Sequence, residues 1–218
     1  MTTSERYVPA LGYRWLTALY DPVVRVTTRE RTFKAALLAQ AALGPGESVL
    51  DLACGTATLT IAAKLDEPRA ELSGLDGDPE ILKLARAKAE RAGAEIRFDE
   101  GYSDRMPYAD ARFDKVLCSL FFHHLGSDAK LRSFREILRV LKPGGELHVA
   151  DWGRAANPLM RFAFLGIQLL DGFPNTADNA RGLLPQFIRD CSFVDVAETR
   201  RYATVFGTLS LYRALKRP

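Results

Sequence analysis

The stretch Ser48–Ala63, SVLDLACGTATLTIAA, decides the fold of this chain. It begins with a short apolar run at Val49–Leu52, is interrupted by the small residues Ala53–Ala57, and continues from Leu59 as an apolar segment with helical spacing. This order predicts a strand, a tight turn and a helix. A glycine in such a turn lets the backbone approach a ligand, and the free N–H groups of the following helix point towards it. We therefore expect a nucleotide-like ligand at this turn.

The residues of the turn distinguish between two kinds of nucleotide ligand. A dinucleotide fold uses the pattern G-x-G-x-x-G to seat a pyrophosphate on the helix N-terminus. Here the spaced small positions are Ala53, Gly55 and Ala57, so one glycine is present. Asp51 lies at the end of the strand, where a carboxylate repels a pyrophosphate and attracts a cation. The turn therefore favours a nucleoside that carries positive charge, and the sulfonium and ammonium groups of S-adenosylmethionine meet that requirement.

The segment VLDLACGTATL resembles motif I, D/E-x-G-x-G-x-G, of the class I S-adenosylmethionine-dependent methyltransferases, with alanine at two of the glycine positions. The resemblance continues at Gly74–Asp76, at Ala111–Leu120, which matches the F-D-x-V strand, and at Arg139–Leu147, which matches R-V-L-K-P-G-G-x-L. It is strongest over residues 46–151 and is to the small-molecule group that includes the type 11 and quinone methyltransferases. It implies an α/β fold with a doubly wound, mostly parallel, seven-stranded Rossmann-like sheet and a reversed last strand.

The chain has 218 residues, a length that suits a single domain. The resemblance divides that domain into four parts. These are a helical cover (1–44), a cofactor-binding core (46–151), a helical insertion on the acceptor side between strands five and six (152–190), and C-terminal strands that end the sheet as an antiparallel hairpin (191–218).

The first cofactor contacts are expected around the turn and at the end of the second strand. Asp51 would balance the cofactor's positive end, directly or through water, and Gly55 with the flanking Ala53 and Cys54 would hold its amino acid portion. Asp76 lies roughly 20 residues beyond the glycine turn, where a nucleotide fold places the carboxylate that binds the ribose hydroxyls. Gly77 follows Asp76 and belongs to the same expected site.

The adenine contacts are expected in the loop Asp99–Tyr108, which resembles the family segment G-D-A-x-x-L-P-F. In that family an Asp side chain and the next backbone N–H clamp the adenine. Tyr102 replaces the Asp here and could contact the ring, while Ser103 can still offer its backbone N–H. Asp104 is a second candidate for the missing carboxylate.

The catalytic candidates follow the apolar strand that ends at Ser119. Ligands of open parallel sheets bind beyond the carboxyl ends of the strands, so Ser119 should face the cofactor methyl group and the substrate. His124, with His123 second, is the predicted general base, since histidine titrates near neutral pH. One of the two could instead shape the loop through a backbone hydrogen bond. No metal site is expected, because adjacent histidines lack helical spacing and no nearby cysteine joins them.

Further acceptor contacts are expected after strand five. Asp151 ends that strand on the ligand side, and Asp171, Asn179 and Arg181 could reach an acceptor, although no pattern ranks them. The apolar segment 157–172 could form the wall of a pocket for a lipophilic acceptor such as a quinone, a lipid or an aromatic metabolite. A dimer face, a membrane-adjacent patch and ordinary core packing are the alternatives.

Composition limits the other function classes. The net charge is +3 with interspersed signs, whereas a nucleic-acid-binding protein would carry a denser basic stripe. No apolar run approaches the roughly 20 residues of a membrane span, and no secretory signal follows the polar N-terminus, so a cytoplasmic location is expected. The cysteines lie far apart and behave as small apolar residues. They are Cys54, Cys118 and Cys191.

These observations predict an enzyme that transfers a methyl group from S-adenosylmethionine to a small molecule by in-line displacement, with S-adenosylhomocysteine as the product. A monomer or a homodimer is expected, without nucleic acid. A cofactor-binding protein without turnover and a dinucleotide-dependent oxidoreductase are the alternatives. The D/N-P-P-Y/F signature of enzymes that methylate amino groups of bases is absent after strand four, where Ser119–Phe122 stands, and this argues against base methylation.

Overall fold

The computed structural model describes residues 30–218, in which seven strands form one sheet between two layers of helices. The strands are β1 (Ser48–Leu52), β2 (Glu71–Asp76), β3 (Arg97–Glu100), β4 (Phe113–Ser119), β5 (Leu141–Trp152), β6 (Val194–Thr204) and β7 (Gly207–Leu215). The helices are α1 (Glu30–Ala41), α2 (Thr58–Asp66), α3 (Pro79–Arg91), α4 (Ser127–Val140), α5 (Pro158–Asp171), α6 (Phe173–Arg181) and α7 (Leu184–Asp190). A short 3₁₀ helix, Phe122–His124, lies between β4 and α4.

The strand order β3-β2-β1-β4-β5-β7-β6 places the chain reversal between β1 and β4. Strands β1 to β5 are parallel, and β7 lies antiparallel between β5 and β6. In such sheets ligands bind beyond the carboxyl ends of the strands, at the point where the order reverses. The predicted doubly wound sheet with a reversed last strand is therefore confirmed, and its topology locates the candidate site at the ends of β1, β2, β4 and β5.

Burial on both faces of the sheet explains why its central strands are continuous apolar runs. Every residue of β1 is buried. Leu50 and Leu52 point into one core, together with Phe134 of α4, whereas Val49 points into the opposite core, together with Phe33 of α1. The two cores hold the helices of α4 and α7 on one face and those of α1, α2 and α5 on the other.

The predicted N-terminal helical cover falls largely outside the described residues. Its described part is α1, which packs on β4 and β5 and buries Phe33 and Leu37 completely.

The predicted helical insertion is present as α5, α6 and α7 between β5 and β6. Asn157 caps α5 by accepting a hydrogen bond from the Met160 N–H at 2.9 Å. One side of α5 packs inwards, where Phe164 contacts Trp152 with ring centroids 5.7 Å apart. The other side exposes four large apolar side chains, each 69–74% accessible: Leu159, Phe162, Leu169 and Leu170. Across residues 30–218, no helix is both long and apolar enough to cross a membrane.

Candidate active site

The turn between β1 and α2 has an alternating left-handed backbone. Ala53, Gly55 and Ala57 have φ angles of 55°, 53° and 59°. The Cys54 N–H donates to the Leu75 carbonyl at 3.0 Å, which ties the turn to β2. Alanine in this conformation costs about 1–2 kcal/mol, because Cβ crowds the following carbonyl oxygen. The chain thus retains the turn geometry at two positions where the motif has glycine.

Asp76 joins this turn to the end of β2. Its Oδ2 accepts a hydrogen bond from the Gly55 N–H at 2.9 Å, and its Oδ1 accepts one from the Asp78 N–H at 3.0 Å. Burial raises the pKa of the Asp76 carboxyl, and the backbone donors act in the opposite direction. Asp78 caps α3 through the Glu80 N–H at 2.9 Å, as its position before Pro79 indicates.

Gly77 and Tyr102 lie against each other beside Asp76. A Cβ atom at Gly77 would come within 3.1 Å of the Tyr102 ring, so a larger residue would require the ring to shift. A Cβ atom at Gly55 would instead meet no atom within 4 Å, which shows open space over the turn. The structure therefore brings Gly55, Asp76, Gly77 and Tyr102 together at one edge of the sheet, beside the open space over the turn.

Asp51 lies deeper than the other predicted residues. It is 1% exposed, and its Oδ2 accepts a hydrogen bond from the Thr60 hydroxyl of α2 at 2.6 Å. Burial raises the pKa of this carboxyl to about 6, although the Thr60 bond opposes the shift. Cys54 is also buried, and burial raises the pKa of its thiol.

The side chains of the other two adenine candidates, Ser103 and Asp104, form hydrogen bonds with α4. The Ser103 hydroxyl lies 2.7 Å from the Ser133 hydroxyl, and the Asp104 carboxylate accepts a hydrogen bond from Arg132 Nε at 3.1 Å. Asp104 thus has a cationic partner on the protein surface. Of the three adenine candidates, Tyr102 is the one whose side chain lies against Gly77.

At the carboxyl end of β5, Asp151 organises the loop that follows Ser119. It is fully buried, and its Oδ1 lies 2.7 Å from His123 Nδ1. Its Oδ2 accepts the N–H groups of Phe121 at 3.2 Å and of Phe122 at 2.7 Å. Burial alone would raise the pKa of Asp151, but His123 and the backbone donors outweigh it and hold that pKa below its usual value. The sequence marked the position of Asp151, but no pattern connected it to His123.

His124 and Asp171 complete the group around His123. The two imidazole rings lie 3.9 Å apart between centroids. Asp171, at the end of α5, places Oδ2 3.6 Å from His123 Nε2 and Oδ1 3.6 Å from His124 Nδ1. Burial, aided by the neighbouring His123, lowers the pKa of His124 to about 3. Asp171, one of the three predicted acceptor candidates, therefore lies beside both histidines.

A buried lysine fixes the insertion against this loop. Lys130 Nζ donates to the carbonyls of Leu125 at 2.7 Å and Asn175 at 2.8 Å and to Asp178 Oδ2 at 3.1 Å. The side chain of Lys130 is 0% exposed, so these bonds join α4, the histidine loop and α6 without water screening. This clamp explains how a distant insertion holds Asp171 beside the histidines.

The other acceptor candidates lie on α6. Asn179 is buried and donates from Nδ2 to the Trp152 carbonyl at 2.9 Å, so it supports the end of β5.

Leu120, between β4 and the histidines, has a φ of 53°, which is a strained conformation for a bulky residue. Such strain persists where neighbouring contacts fix the backbone, and here the Leu120 N–H donates to the Ala150 carbonyl at 2.8 Å.

Known proteins share both the motif segment and the fold. Residues 49–145 match the family model described as "Methyltransferase domain". A demethylmenaquinone methyltransferase from Deinococcus radiodurans is 36% identical over 147 residues, which are 66% of this chain and 60% of the relative. A ubiquinone/menaquinone biosynthesis C-methyltransferase from Bordetella parapertussis is 35% identical over 130 residues, which are 59% of this chain and 50% of the relative. A solved SAM-dependent methyltransferase from Methanosarcina mazei is 20% identical, with a TM-score of 0.64 over 80% of this chain and 94% of that chain.

The sheet order and the glycine turn beside an acidic strand end define a class I methyltransferase fold. Residues 49–145 of the chain match the methyltransferase domain family, which confirms the predicted resemblance. The two relatives named above are matched over 60% and 50% of their own length, so the chain spans about half the length of these curated relatives.

Proposed function

We propose that this chain transfers a methyl group from S-adenosylmethionine to a small lipophilic acceptor by in-line displacement. The observation that carries the proposal is the hydrogen bond between the Gly55 N–H and Asp76, 2.9 Å long, at the edge of an open space over the turn. The cofactor supplies a methyl group on a positively charged sulfur. The chain's own residues bind it, orient the acceptor and exclude water.

Asp76 is the proposed ribose ligand. Each of its carboxylate oxygens already accepts one backbone N–H, and each has a second lone pair for a ribose hydroxyl. Gly77 and Tyr102 form an adjacent surface for the adenine, together with the Ser103 backbone. Asp104 is the weaker candidate because Arg132 already neutralises it.

The amino acid portion of the cofactor is proposed to lie on the backbone of Ala53, Cys54 and Gly55. The Asp51 carboxylate is buried and bonded to Thr60, so it would attract the positive charge of the cofactor through the turn and without direct contact. Ser119, which ends β4, remains the predicted neighbour of the methyl group.

His123 is the better candidate for the general base, which reverses the order expected from the sequence. Its Nδ1 faces Asp151 at 2.7 Å, so Nδ1 carries the hydrogen and Nε2 has the free lone pair. A proton accepted at Nε2 would create an imidazolium that the buried Asp151 carboxylate stabilises. His124 lacks such a partner, because its Nδ1 lies 3.6 Å from Asp171 Oδ1, beyond hydrogen-bond distance. The low pKa of His124 also makes it a weak base.

The acceptor is proposed to be quinone-like. One named relative is a demethylmenaquinone methyltransferase and the other a ubiquinone/menaquinone biosynthesis C-methyltransferase. The exposed apolar side of α5 offers a surface for a lipophilic molecule. The four-part division of the domain, the cytoplasmic location and the monomeric or homodimeric state remain predictions.

Calorimetry of S-adenosylmethionine and S-adenosylhomocysteine binding tests the cofactor assignment. Asp76→Asn should weaken both by about tenfold to a hundredfold, because a hydrogen bond to a charged group contributes about 1.5–3 kcal/mol. Asp110→Asn is the matched control, since Asp110 precedes the opposite, amino end of β4 and pairs with Arg139 at 2.8 Å. A folded wild-type sample that binds neither compound would refute the proposal.

Transfer of a labelled methyl group to a demethylated quinol tests the acceptor. We expect product from the wild type and a large loss of turnover in His123→Gln with unchanged cofactor affinity. Tight cofactor binding without product from any quinol or phenol would instead favour the alternative of a binding protein without turnover.

A further inference from the structure

Three potential metal ligands from two distant parts of the chain meet beside the proposed acceptor space. His123 and His124 come from the 3₁₀ helix after β4, and Asp171 comes from the end of α5. Within residues 30–218, these are the His, Cys, Asp and Glu side chains whose ligand atoms all lie within 4.8 Å of one another. The sequence predicted no metal site, because adjacent histidines lack helical spacing. The fold adds the third ligand that the sequence did not show.

The separations are too long for direct hydrogen bonds but suit a shared ion. Asp171 places one oxygen 3.6 Å from His123 Nε2 and the other 3.6 Å from His124 Nδ1. A charged hydrogen bond would be about 2.7–2.9 Å long. Ligand bonds of about 2.1 Å at tetrahedral angles place neighbouring ligand atoms roughly 3.4 Å apart. The two observed distances, one to each Asp171 oxygen, are close to that edge length, and one ligand atom from each of the three residues lies within 4.8 Å of the other two.

Asp151 supplies the outer contact that ligating histidines usually have. It lies 2.7 Å from His123 Nδ1, so it holds the hydrogen on that nitrogen and leaves the Nε2 lone pair directed at Asp171. A carboxylate that orients a histidine in this way is a common feature of zinc sites. Two backbone N–H groups in turn fix Asp151, so the ring of His123 is held in place before any ion binds.

The charges of the group also suit a divalent cation. Two neutral imidazoles and the carboxylates of Asp171 and Asp151 together carry two negative charges, which one divalent ion neutralises. Asp151 is fully buried and Asp171 is largely buried, with a side chain 12% exposed. Buried charges are costly unless they are paired or bind a metal.

We propose that His123, His124 and Asp171 bind one divalent transition-metal ion, with zinc as the preferred class, and that Asp151 positions His123. Two imidazole nitrogens and one carboxylate are a ligand set of catalytic zinc sites, which leave a coordination position open. An acceptor hydroxyl in that position would lose its proton to solvent more readily, because the ion lowers its pKa. Activation of the acceptor by the ion would replace the action of His123 as a base, and this part of the inference rests on the proposed function. The binding of the ion itself is independent of that function.

Metal titration of the full chain tests the site. After chelator treatment, Zn²⁺ is titrated by calorimetry and Co²⁺ by its visible absorption, which reports tetrahedral coordination. We expect one ion per chain for the wild type. Asp171→Asn and His124→Ala should each weaken binding more than about tenfold, and Asp151→Asn should weaken it by about 10- to 100-fold.

Asp128→Asn is the matched control, because Asp128 is an exposed acidic residue in the first turn of α4, close in sequence to the histidines. Its metal affinity should equal that of the wild type. Asp171→Asn keeps the size of the side chain, and circular dichroism checks that each variant is folded. Less than one bound ion in the wild type, or unchanged affinity in folded Asp171→Asn, would overturn the proposal.

The same samples separate this inference from the proposed function. S-adenosylhomocysteine binding is measured in each with and without Zn²⁺. Zn²⁺ binding without cofactor binding would support the metal site and refute the methyltransferase proposal. Cofactor binding without Zn²⁺ binding would support the methyltransferase proposal and refute the metal site.

Discussion

The buried carboxylate of Asp51 makes a sharp prediction about how stability depends on pH. Asp51→Asn removes the ionisable group but keeps an oxygen that accepts the Thr60 hydroxyl, which bonds Asp51 at 2.6 Å in the wild type. The side chain of Asp51 is 1% exposed, so solvent screens the ionised carboxylate very little. A comparison of the two proteins over a pH range therefore isolates the cost of that charge.

The size of the effect follows from the pKa. Burial raises the pKa of Asp51 from 3.8 to about 6 in the folded state. A difference of roughly two units corresponds to about 3 kcal/mol, at about 1.4 kcal/mol per unit. Because the folded state binds the proton more tightly, the stabilising contribution is complete below about pH 4 and is lost as pH rises to about 6. Asp51→Asn lacks this loss.

Urea unfolding of both proteins at about pH 4 and about pH 8 measures the difference. We expect the free energy of unfolding of Asp51→Asn to gain about 3 kcal/mol relative to the wild type between these two values. Asp110→Asn, which changes an exposed carboxylate, should show no comparable gain. A difference that stays constant with pH, or that moves in favour of the wild type as pH rises, would refute the role assigned to burial.

Three other substitutions test the turn, the clamp and the close packing. Ala57→Gly should stabilise the protein by about 0.5–1 kcal/mol, because glycine tolerates the φ of 59°, and a lowered melting temperature would contradict this. Lys130→Met should cost about 3–5 kcal/mol in urea unfolding, because it leaves the buried Asp178 carboxylate without its cationic partner, and adding Asp178→Asn should recover part of that cost. Gly74→Ala should cost about 1–3 kcal/mol, because the new Cβ would lie 2.9 Å from Cys54 Sγ, and an unchanged urea midpoint would argue against this contact.

The sequence predicted those features that short stretches of chain define. The order of apolar, small and apolar residues in Ser48–Ala63 indicated β1, the turn and α2, and all three are present. Asp76 was placed by its distance from the turn, and it does lie against Gly55. Local patterns sufficed because each of these elements is built from neighbouring residues with a regular period.

The polar stretch that follows α5 shows where such patterns fail. Residues 176–182 have no apolar period, yet Phe173–Arg181 forms α6. Its buried residues are polar, and they are held by contacts such as that of Asp178 with Lys130. The packing of distant elements supplies those partners, so α6 lacks the apolar period of the other helices, and the local signals are Pro174 in its first turn and Gly182 after its end.

By itself, the sequence determined the class of fold, the turn, the acidic end of β2 and the presence of two histidines after β4. The tertiary structure alone decided which histidine has a carboxylate partner and which of the acidic residues after β5 reach the site. Asp151 and Asp171 are both distant from His123 along the chain. Asp151 meets His123 because β4 and β5 are parallel neighbours that end at one edge of the sheet, whereas Asp171 meets it because the packed insertion brings the end of α5 there. Burial, which shifts the pKa values of Asp51 and His124, likewise arises only when these elements pack together.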